Sequence, residues 1–453
     1  MRVFFGIDKV ILTTLGSRVV NVVAGLTTLF FITQTLSVEM QGYYYTFNSL
    51  IALQIFAELG LNFALVQISS HEMAGLSWQS DGTLSGQAKS KRRLQSILHF
   101  ALIWFSFAAI LMIIFLCPFG IYFFAKSDSY SSLSVSANFN INIPWILIVI
   151  LTAISVFLSA ASAILEGCGR VTSVATMRLW QSLLAPCSAC LILHFEGGLY
   201  SLVGASLTSV LTGFIWLWIN YRVFFKDLVN NRIEEPGMNW KTEVWPFQWR
   251  IAVSWISGYF GMQLFIPMLF EAQGPSVAGQ LGMTLQLINA LNGVAIIWIS
   301  TKAPAFGSLI ASNERNKLDE LFLTSFLQSV FILLVGLFIL MSAIIYLSAT
   351  NSPFAARVIS YEYLFIFCGI SLANHIVQSE AIFLRAHKEE PFMIISIMGG
   401  LITLILSIIL IPKFGLLGAT ITYGTSTLIF GLIGGTLIFY KQRKKWSVRD
   451  KDK

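Results

Sequence analysis

The sequence predicts an all-α integral membrane protein with twelve transmembrane helices, and three observations lead to this prediction. Of the 453 residues, 56% are hydrophobic and only 11% are charged, whereas soluble domains are about 25% charged. Twelve separate apolar runs each approach or exceed the roughly 20 residues that a helix needs to cross a bilayer. The mean hydropathy of +0.75 excludes a cytosolic enzyme and a disordered chain.

The twelve apolar runs are separated by short segments that carry turn residues, such as Ser-Asp-Gly at 80–82. We number the predicted spans 1 to 12 in chain order. They lie at about 10–36, 43–69, 94–117, 143–166, 175–195, 200–221, 248–272, 278–301, 321–347, 361–384, 391–411 and 416–440. The first run is too long for the apolar region of a cleavable signal peptide, so we expect it to remain in the protein as a span.

The distribution of Lys and Arg predicts that both termini are cytoplasmic. With the N-terminus inside, the predicted cytoplasmic segments hold 24 of the 29 Lys and Arg residues, and only Lys126, Arg357 and Lys413 face outward. Positive charge concentrates on the cytoplasmic side of membrane proteins. This bias also explains the net charge of +7 without a nucleic acid partner, because the basic residues lie in short loops and in the tail.

Weak internal repetition predicts two parallel six-helix lobes. Leu202-Val-Gly-Ala-Ser opens span 6 and Leu416-Leu-Gly-Ala-Thr opens span 12, while Ser37-Val38 with Gln41 and Ser276-Val277 with Gln280 precede spans 2 and 8. Six is an even number, so both copies enter from the same side of the membrane. The predicted domains are an N-terminal lobe at 1–225, a cytoplasmic linker at 226–247, a C-terminal lobe at 248–440 and a basic tail at 441–453.

The sequence contains no signature of an enzyme or of a nucleotide-binding protein. Neither a phosphate-binding glycine-rich loop nor a His-Glu-x-x-His zinc motif is present. We therefore expect no catalytic residue, metal or cofactor, and transport driven by a gradient of ions or of substrate. A membrane polymerase or ligase is disfavoured, because the longest outer segment, at about 118–142, has little material for catalysis.

Four short motifs resemble a known group of exporters. They are Gly42-Tyr-Tyr-Tyr45 in span 2, Ala57-Glu-Leu-Gly-Leu61 later in that span, Leu165-Glu-Gly-Cys-Gly-Arg170 at the end of span 4, and Gly415-Leu-Leu-Gly-Ala419 before span 12. With the twelve spans, they resemble the polysaccharide transporters (Wzx-type O-antigen flippases) of the multidrug/oligosaccharidyl-lipid/polysaccharide exporter superfamily. Peptidoglycan lipid flippases typically have fourteen helices, two more than the twelve predicted for this sequence.

The resemblance implies a flippase in the bacterial inner (cytoplasmic) membrane. Such proteins have two six-helix lobes around a central cavity that opens alternately to each side. They move an undecaprenyl-diphosphate-linked oligosaccharide outward for O-antigen or capsule synthesis. The implied partners are that lipid-linked substrate, membrane lipids, and the polymerase and glycosyltransferases of the pathway. An ion-coupled multidrug exporter of the same superfamily is the alternative.

Ionisable residues inside the predicted spans are candidate functional groups, because a charge at the bilayer centre costs at least about 2.5–3.5 kcal/mol. Arg18 in span 1 and Glu58 in span 2 lie at similar depths. In the functional interpretation, Arg18 binds the diphosphate, and Glu58 holds Arg18 or binds a coupling proton. The alternatives are a structural ion pair, or an Arg18 side chain that extends to the headgroups.

Two polar faces in the C-terminal half are further candidates. Span 8 carries Gln286, Asn289 and Asn292 at intervals of three, and span 10 carries Asn374, His375, Gln378 and Glu380. Amides hydrogen-bond sugar hydroxyls without the cost of burying charge, so we predict that Gln286, Asn289, Asn292, Asn374 and Gln378 bind substrate. His375 and Glu380 are candidates for ion coupling. The alternative for both faces is hydrogen bonding between packed helices.

Overall fold

The computed structural model describes residues 23–126, 140–230, 238–245, 248–249, 252–253, 263–387 and 391–449. They divide into two compact units. Unit 1 contains the described residues within Met1–Leu36 and Leu50–Ile256, and unit 2 contains those within Ser37–Ser49 and Ser257–Lys453. Within the described ranges the elements are helices apart from one short hairpin. The predicted all-helical class is confirmed for this part of the chain.

The elements are labelled in chain order. The helices are α1 (Val23–Thr35), α2 (Val38–Ile51), α3 (Ile55–Glu58), α4 (Leu61–Met73), α5 (Ala88–Ala125), α6 (Asn142–Gly167), α7 (Val171–His194), α8 (Tyr200–Asn230), α9 (Phe265–Gln273), α10 (Pro275–Ala295), α11 (Ile297–Ser300), α12 (Ala303–Ala311), α13 (Arg315–Ala349), α14 (Tyr361–Ala386), α15 (Met393–Phe414), α16 (Leu416–Thr425) and α17 (Gly435–Arg449). The strands are β1 (Leu76–Trp78) and β2 (Leu84–Gly86). Short 3-10 turns lie at Ala52–Gln54 and Ala355–Arg357, and π-helical segments lie at Trp240–Val244 and Ser426–Gly434.

The lengths and hydropathies of these helices are those of a multi-pass membrane protein. Eight helices within the described ranges are long and apolar enough to cross a bilayer, or nine if the bent pair of Val38–Glu58 and Leu61–Met73 counts as one span. Helix α7 has 24 residues, but its hydropathy is lowered by residues such as Arg178 and it is not among the eight. The predicted total of twelve stays a prediction, since parts of spans 1 and 7 lie outside the described residues.

Unit 1 is organised around a buried aliphatic core. Helix α6 packs against α4, α5 and α8, and α7 packs along α8. The core includes Leu65, Ile97, Phe105 and Ile164, each fully buried. The β1–β2 hairpin contributes Trp78, whose indole N–H donates to the Cys168 carbonyl at 2.8 Å. The apolar runs of the sequence therefore pack their inward faces against one another.

The second predicted span is interrupted near its middle. Leu59 and Gly60 have φ of 46° and 68°, and the helix bends by 41° between α3 and α4. Glycine adopts this left-handed conformation readily, whereas leucine does so at a cost. The Ala57-Glu-Leu-Gly-Leu61 motif forms this break. It leaves the Leu59 carbonyl outside the regular helical pattern, where it accepts a hydrogen bond from the Gln248 side-chain amide.

Part of the predicted linker folds onto unit 1. Trp240 stacks on Phe100 with ring centroids 3.6 Å apart. Arg93 forms ion pairs with Glu72 and Glu243, and this guanidinium holds the pKa of Glu243 below its ordinary value. The segment that follows α8 is therefore attached to α5 by ring stacking and by charge.

In unit 2, the first residues of α2 lie directly against α10. A Cβ added to Gly42 would lie 2.0 Å from the Pro275 carbonyl oxygen, and one added to Gly279 would lie 2.7 Å from the Gly42 nitrogen. Small residues permit such close backbone approach between membrane helices. The Gln41 side-chain amide donates to the carbonyls of Gly279 and Arg357, each at 2.9 Å. This contact fixes the register of α2 against α10.

Replacing Gly279 with Ala is expected to separate α2 from α10, because the new methyl group meets backbone atoms that cannot rotate away. Overpacking of this kind costs about 1–3 kcal/mol, which thermal unfolding in detergent detects as a lower Tm. The matched control is Gly293→Ala in the same helix, where an added Cβ has no neighbour within 4 Å. Equal Tm values for both variants would show that the close approach is absent.

Candidate functional site

Unit 2 contains a polar cavity of about 420 Å³. Uncharged polar and aromatic side chains dominate its lining, and none of the described lining residues carries a formal charge. Helix α2, the segment around α9, helix α10 and helix α16 each contribute to the wall. The polar lining residues are Tyr44, Tyr45, Asn48, Ser49, Gln263, Gln286, Asn289 and Tyr423.

The close packing of α2 on α10 positions the centre of this cavity. The Tyr45 ring occupies the space beside Gly282, where an added Cβ atom would lie 2.4 Å from the ring. The Tyr45 hydroxyl is thereby brought to Gln286 and donates to its Oε1 atom. On the next turn of α2, the Ser49 hydroxyl donates to the Gln263 carbonyl. Amide and phenol groups with fixed orientations therefore line the wall.

The structure places the predicted substrate-binding residues in two adjoining groups. Gln286 and Asn289 line the cavity, and Asn374 is hydrogen-bonded to the lining residue Tyr423. Asn292 and Gln378 lie one turn further along α10 and α14, where the Asn292 amide donates to Gln378 Oε1 at 3.1 Å. The two polar faces predicted on spans 8 and 10 therefore meet through side-chain hydrogen bonds.

His375 lies at the centre of the second group and is fully buried. Its Nδ1 atom is 2.6 Å from Asn292 Oδ1, and its Nε2 atom is 2.8 Å from the hydroxyl of Ser329 on α13. The same hydroxyl donates to the Ala295 carbonyl at 2.6 Å. The imidazole therefore links three helices of unit 2 through both ring nitrogens.

Glu380 belongs to a different part of unit 2. It is buried and accepts a hydrogen bond from the Thr436 hydroxyl at 3.3 Å. It lines a larger cavity of about 850 Å³, whose walls are mostly aromatic and aliphatic and which also contains Asp319 and Arg443. Arg443 and Asp319 are paired at 2.5 Å. The sequence prediction grouped Glu380 with His375, whereas the structure places them in separate networks.

In unit 1, Glu58 lies at the helix break. Its Oε2 atom accepts a hydrogen bond of 3.2 Å from the Asn62 amide, which also donates to the Ser159 hydroxyl at 2.9 Å. Arg18, the predicted partner of Glu58 and ligand of the diphosphate, lies outside the described residues. Its role therefore stays a prediction.

Several lining residues were not predicted from the sequence. Tyr45, Asn48, Ser49, Gln263 and Tyr423 line the cavity, whereas in the sequence the tyrosines of span 2 stand out only as part of a family motif. Tyr45 and Ser49 are separated by four residues and so share a face of α2, a signal that was present in the sequence. Gln263 and Tyr423 had no such signal.

The chemistry of this arrangement is hydrogen bonding to a neutral polar ligand. Four amides and three phenols provide both donors and acceptors, and the rings offer apolar faces between them. Among the described residues, no group of three or more His, Cys, Asp or Glu side chains could hold a metal ion. The cavity is therefore suited to binding and orienting a polyhydroxylated molecule.

Comparison with known proteins identifies the fold. No family model and no curated protein matches this sequence. The solved structure of the lipid II flippase MurJ in an inward closed conformation matches 96% of this chain and 87% of its own, with a TM-score of 0.62 and 16% identity. The MATE multidrug transporter DinF-BH, in complex with R6G, matches 97% of each chain with a TM-score of 0.56 and 15% identity. A MOP superfamily transporter from Pyrococcus furiosus matches 95% of each chain with a TM-score of 0.53 and 14% identity.

These matches show that the chain shares the fold of these three solved transporters. Identities of this size show the fold alone, so the substrate must be argued from the residues of this chain.

Replacing Ser329 with Ala tests the hydrogen bonds around His375. The change removes a donor to Ala295 and a partner of the imidazole from a buried site, which is expected to cost about 1–3 kcal/mol. Thermal unfolding in detergent should show a lower Tm. Ser348→Ala near the end of the same helix, at an exposed position, is the control and should leave the Tm unchanged. A Tm for Ser329→Ala equal to that of the control would refute the network.

Proposed function

We propose that this protein exports a lipid-linked oligosaccharide across the cytoplasmic membrane by alternating access, for the synthesis of a surface polysaccharide such as O-antigen or capsule. The observation that carries the proposal is the cavity of unit 2, with its amide and tyrosine lining and no charged group among the described lining residues. Neutral donors and acceptors suit sugar hydroxyls. The transporter fold supplies the context, since one structure that shares it is a lipid II flippase.

Each predicted residue has a role in this proposal. Gln286 and Asn289 bind sugar hydroxyls directly, and Asn374, Asn292 and Gln378 extend the same polar surface. Arg18 binds the diphosphate, because two negative charges cannot enter hydrocarbon without a cationic partner. Glu58, His375 and Glu380 are the candidates for coupling to an ion gradient. Translocation makes and breaks no covalent bond.

One observation favours the alternative of an ion-coupled multidrug exporter. The larger cavity of unit 2 combines aromatic walls with the buried carboxyl group of Glu380. Apolar walls and a buried acid suit a lipophilic cation, since the rings and the carboxylate both attract positive charge. The amide-lined cavity has aromatic rings but no acidic group among its described lining residues. The two functions therefore predict different substrates and different essential residues.

Transport by the purified protein in proteoliposomes separates these functions. With a fluorescent undecaprenyl-diphosphate oligosaccharide as substrate, the double variant Gln286→Leu and Asn289→Leu is expected to lower the rate at least about tenfold. This corresponds to the loss of about 1.4 kcal/mol of hydrogen bonding. The control is Gln328→Leu, because Gln328 is exposed on α13 and outside the cavity.

The same vesicles should be loaded with R6G, a lipophilic cation. The proposal predicts no R6G export. Export of R6G that is lost in Glu380→Gln but kept in the double variant would establish the alternative.

Unchanged affinity for the diphosphate lipid in Arg18→Ala would remove Arg18 from the site.

A further inference from the structure

The protons available around His375 can be counted from its contacts. The Ala295 carbonyl can only accept, so the single hydroxyl proton of Ser329 is donated to it. The hydroxyl therefore has no proton left for the imidazole, and Nε2 must donate to Ser329 Oγ over their 2.8 Å separation. On the other side, Nδ1 faces Asn292 Oδ1 at 2.6 Å. An amide oxygen also only accepts, so Nδ1 must donate as well.

With Asn292 oriented in this way, both ring nitrogens donate, which is the hydrogen-bond pattern of the charged imidazolium form. The orientation of the next side chain is consistent with it. Because Asn292 directs its oxygen at His375, its amide nitrogen faces Gln378 and donates to Oε1 at 3.1 Å. Because the Oε1 atom of Gln378 accepts this bond, the NH₂ group of the same amide faces away from Asn292.

A neutral imidazole requires a second arrangement of the same atoms. Ser329 still donates to Ala295, so the remaining imidazole proton must stay on Nε2. Nδ1 becomes an acceptor and needs a donor from Asn292, whose amide must rotate by half a turn. The Asn292 oxygen then faces Gln378. The Gln378 amide must therefore rotate as well, so that its NH₂ group donates to Asn292 and its carbonyl group faces away from Asn292. Every hydrogen bond is kept, but the two amides are reversed.

We propose that His375 is the site of the coupling proton and that its charge sets the orientation of the Asn292 and Gln378 amides. The inference rests on the proposed function and names the ion that the cycle uses. In the protonated state Gln378 offers a donor on the side that faces away from Asn292, and in the neutral state it offers an acceptor there. A sugar hydroxyl bound there therefore meets a different partner in each protonation state.

The connection to the substrate cavity runs along two helices. Asn292 lies three residues after Asn289, which lines the cavity, so the two share a face of α10. Gln378 lies four residues after Asn374, which is bonded to the lining residue Tyr423. A reversal of the two amides therefore occurs one turn away from groups that contact the cavity.

Few charged groups surround the imidazole. Helix α10 and the Ser426–Gly434 segment contain no ionisable residue, and α16 contains only Tyr423. The charges of α13 lie in its first two turns, at Arg315, Lys317, Asp319 and Glu320. On α14 itself, Glu380 lies five residues after His375 and bonds to Thr436, and Cys368 lies seven residues before it. Arg385, Glu362, Tyr361 and Tyr363 lie near the ends of the same helix. The ionisable residues of α17 all lie in its last ten positions, at Tyr440, Lys441, Arg443, Lys444, Lys445 and Arg449, and Arg443 pairs with Asp319. Among the described groups, none forms an ion pair with His375. The groups that adjust to a change in its protonation are therefore the two amides and the serine hydroxyl that are hydrogen-bonded around it.

The tautomer of His375 provides a test that does not depend on any substrate. The protein has five histidines, and nitrogen NMR of the histidine-labelled protein distinguishes the charged ring from each neutral tautomer. The signal lost in His375→Gln identifies His375. As the pH rises from about 4 to about 8, we expect this signal to change from the charged ring to the neutral ring with its proton on Nε2.

Two variants and one control sharpen this measurement. Ser329→Ala removes the acceptor of Nε2, so the neutral form should shift toward the Nδ1-protonated tautomer. Asn292→Leu removes the partner of Nδ1 and should favour Nε2 protonation still more. Glu380→Gln alters the other buried acid and should leave the His375 signal unchanged. A neutral Nδ1-protonated ring in the unmodified protein, or an imidazole that never gains a proton in this range, would overturn the proposal.

Transport then tests the coupling itself. One coupled proton permits at most about a tenfold accumulation of substrate for each unit of pH difference. His375→Gln should abolish this response, whereas the exposed control Gln328→Leu should keep it. A response that persists in His375→Gln would reject His375 as the proton site. If the unmodified protein moves no lipid-linked oligosaccharide, the proposed function fails, and the NMR result still decides the histidine proposal.

Discussion

A polar side chain inside a bilayer has no water to bond, so it must find a partner within the protein or line a wet cavity. Unit 2 shows both outcomes on the same helices. Asn292, Gln378 and Ser329 satisfy one another around His375, whereas Gln286 and Asn289 line a cavity one turn away. The energetic cost of unpaired polar groups therefore forces the amides of α10 and α14 into one connected surface. The substrate proposal and the proton proposal both depend on that surface.

Glycine residues are as important for the structure of the cavity as its polar side chains are. Gly42 and Gly279 bring the backbones of α2 and α10 into contact, and Gly282 makes room for the Tyr45 ring. A bulkier side chain at any of these positions would move Tyr45 away from Gln286. Arg357 is held nearby in a partly buried position that keeps the pKa of its guanidinium below its ordinary value, and its carbonyl accepts from Gln41. Backbone proximity thus determines which polar groups can meet.

Much of this organisation could be predicted from the sequence. The membrane class follows from composition, and the spacing of Gln286, Asn289 and Asn292 indicates a common polar face on span 8. The contact of this face with span 10 is visible only in the structure. Contacts between residues that lie far apart in the sequence could not be predicted. Nothing in the local pattern around Ser329 indicates that it bonds to His375, and the sequence could not separate His375 from Glu380, because residues five apart on a helix face different neighbours. The break at Leu59 and Gly60 could not be predicted either, because the Ala57-Glu-Leu-Gly-Leu61 segment lies inside a continuous apolar run.

The central claim is that the sugar of a lipid-linked substrate lies against the amides of unit 2. A cryo-EM map of the protein with a bound undecaprenyl-diphosphate oligosaccharide tests it most directly. The account predicts sugar density within about 3.2 Å of the side-chain amides of Gln286 and Asn289, with the lipid chain elsewhere. Sugar density that avoids both residues, or an aliphatic chain in that cavity, would contradict it.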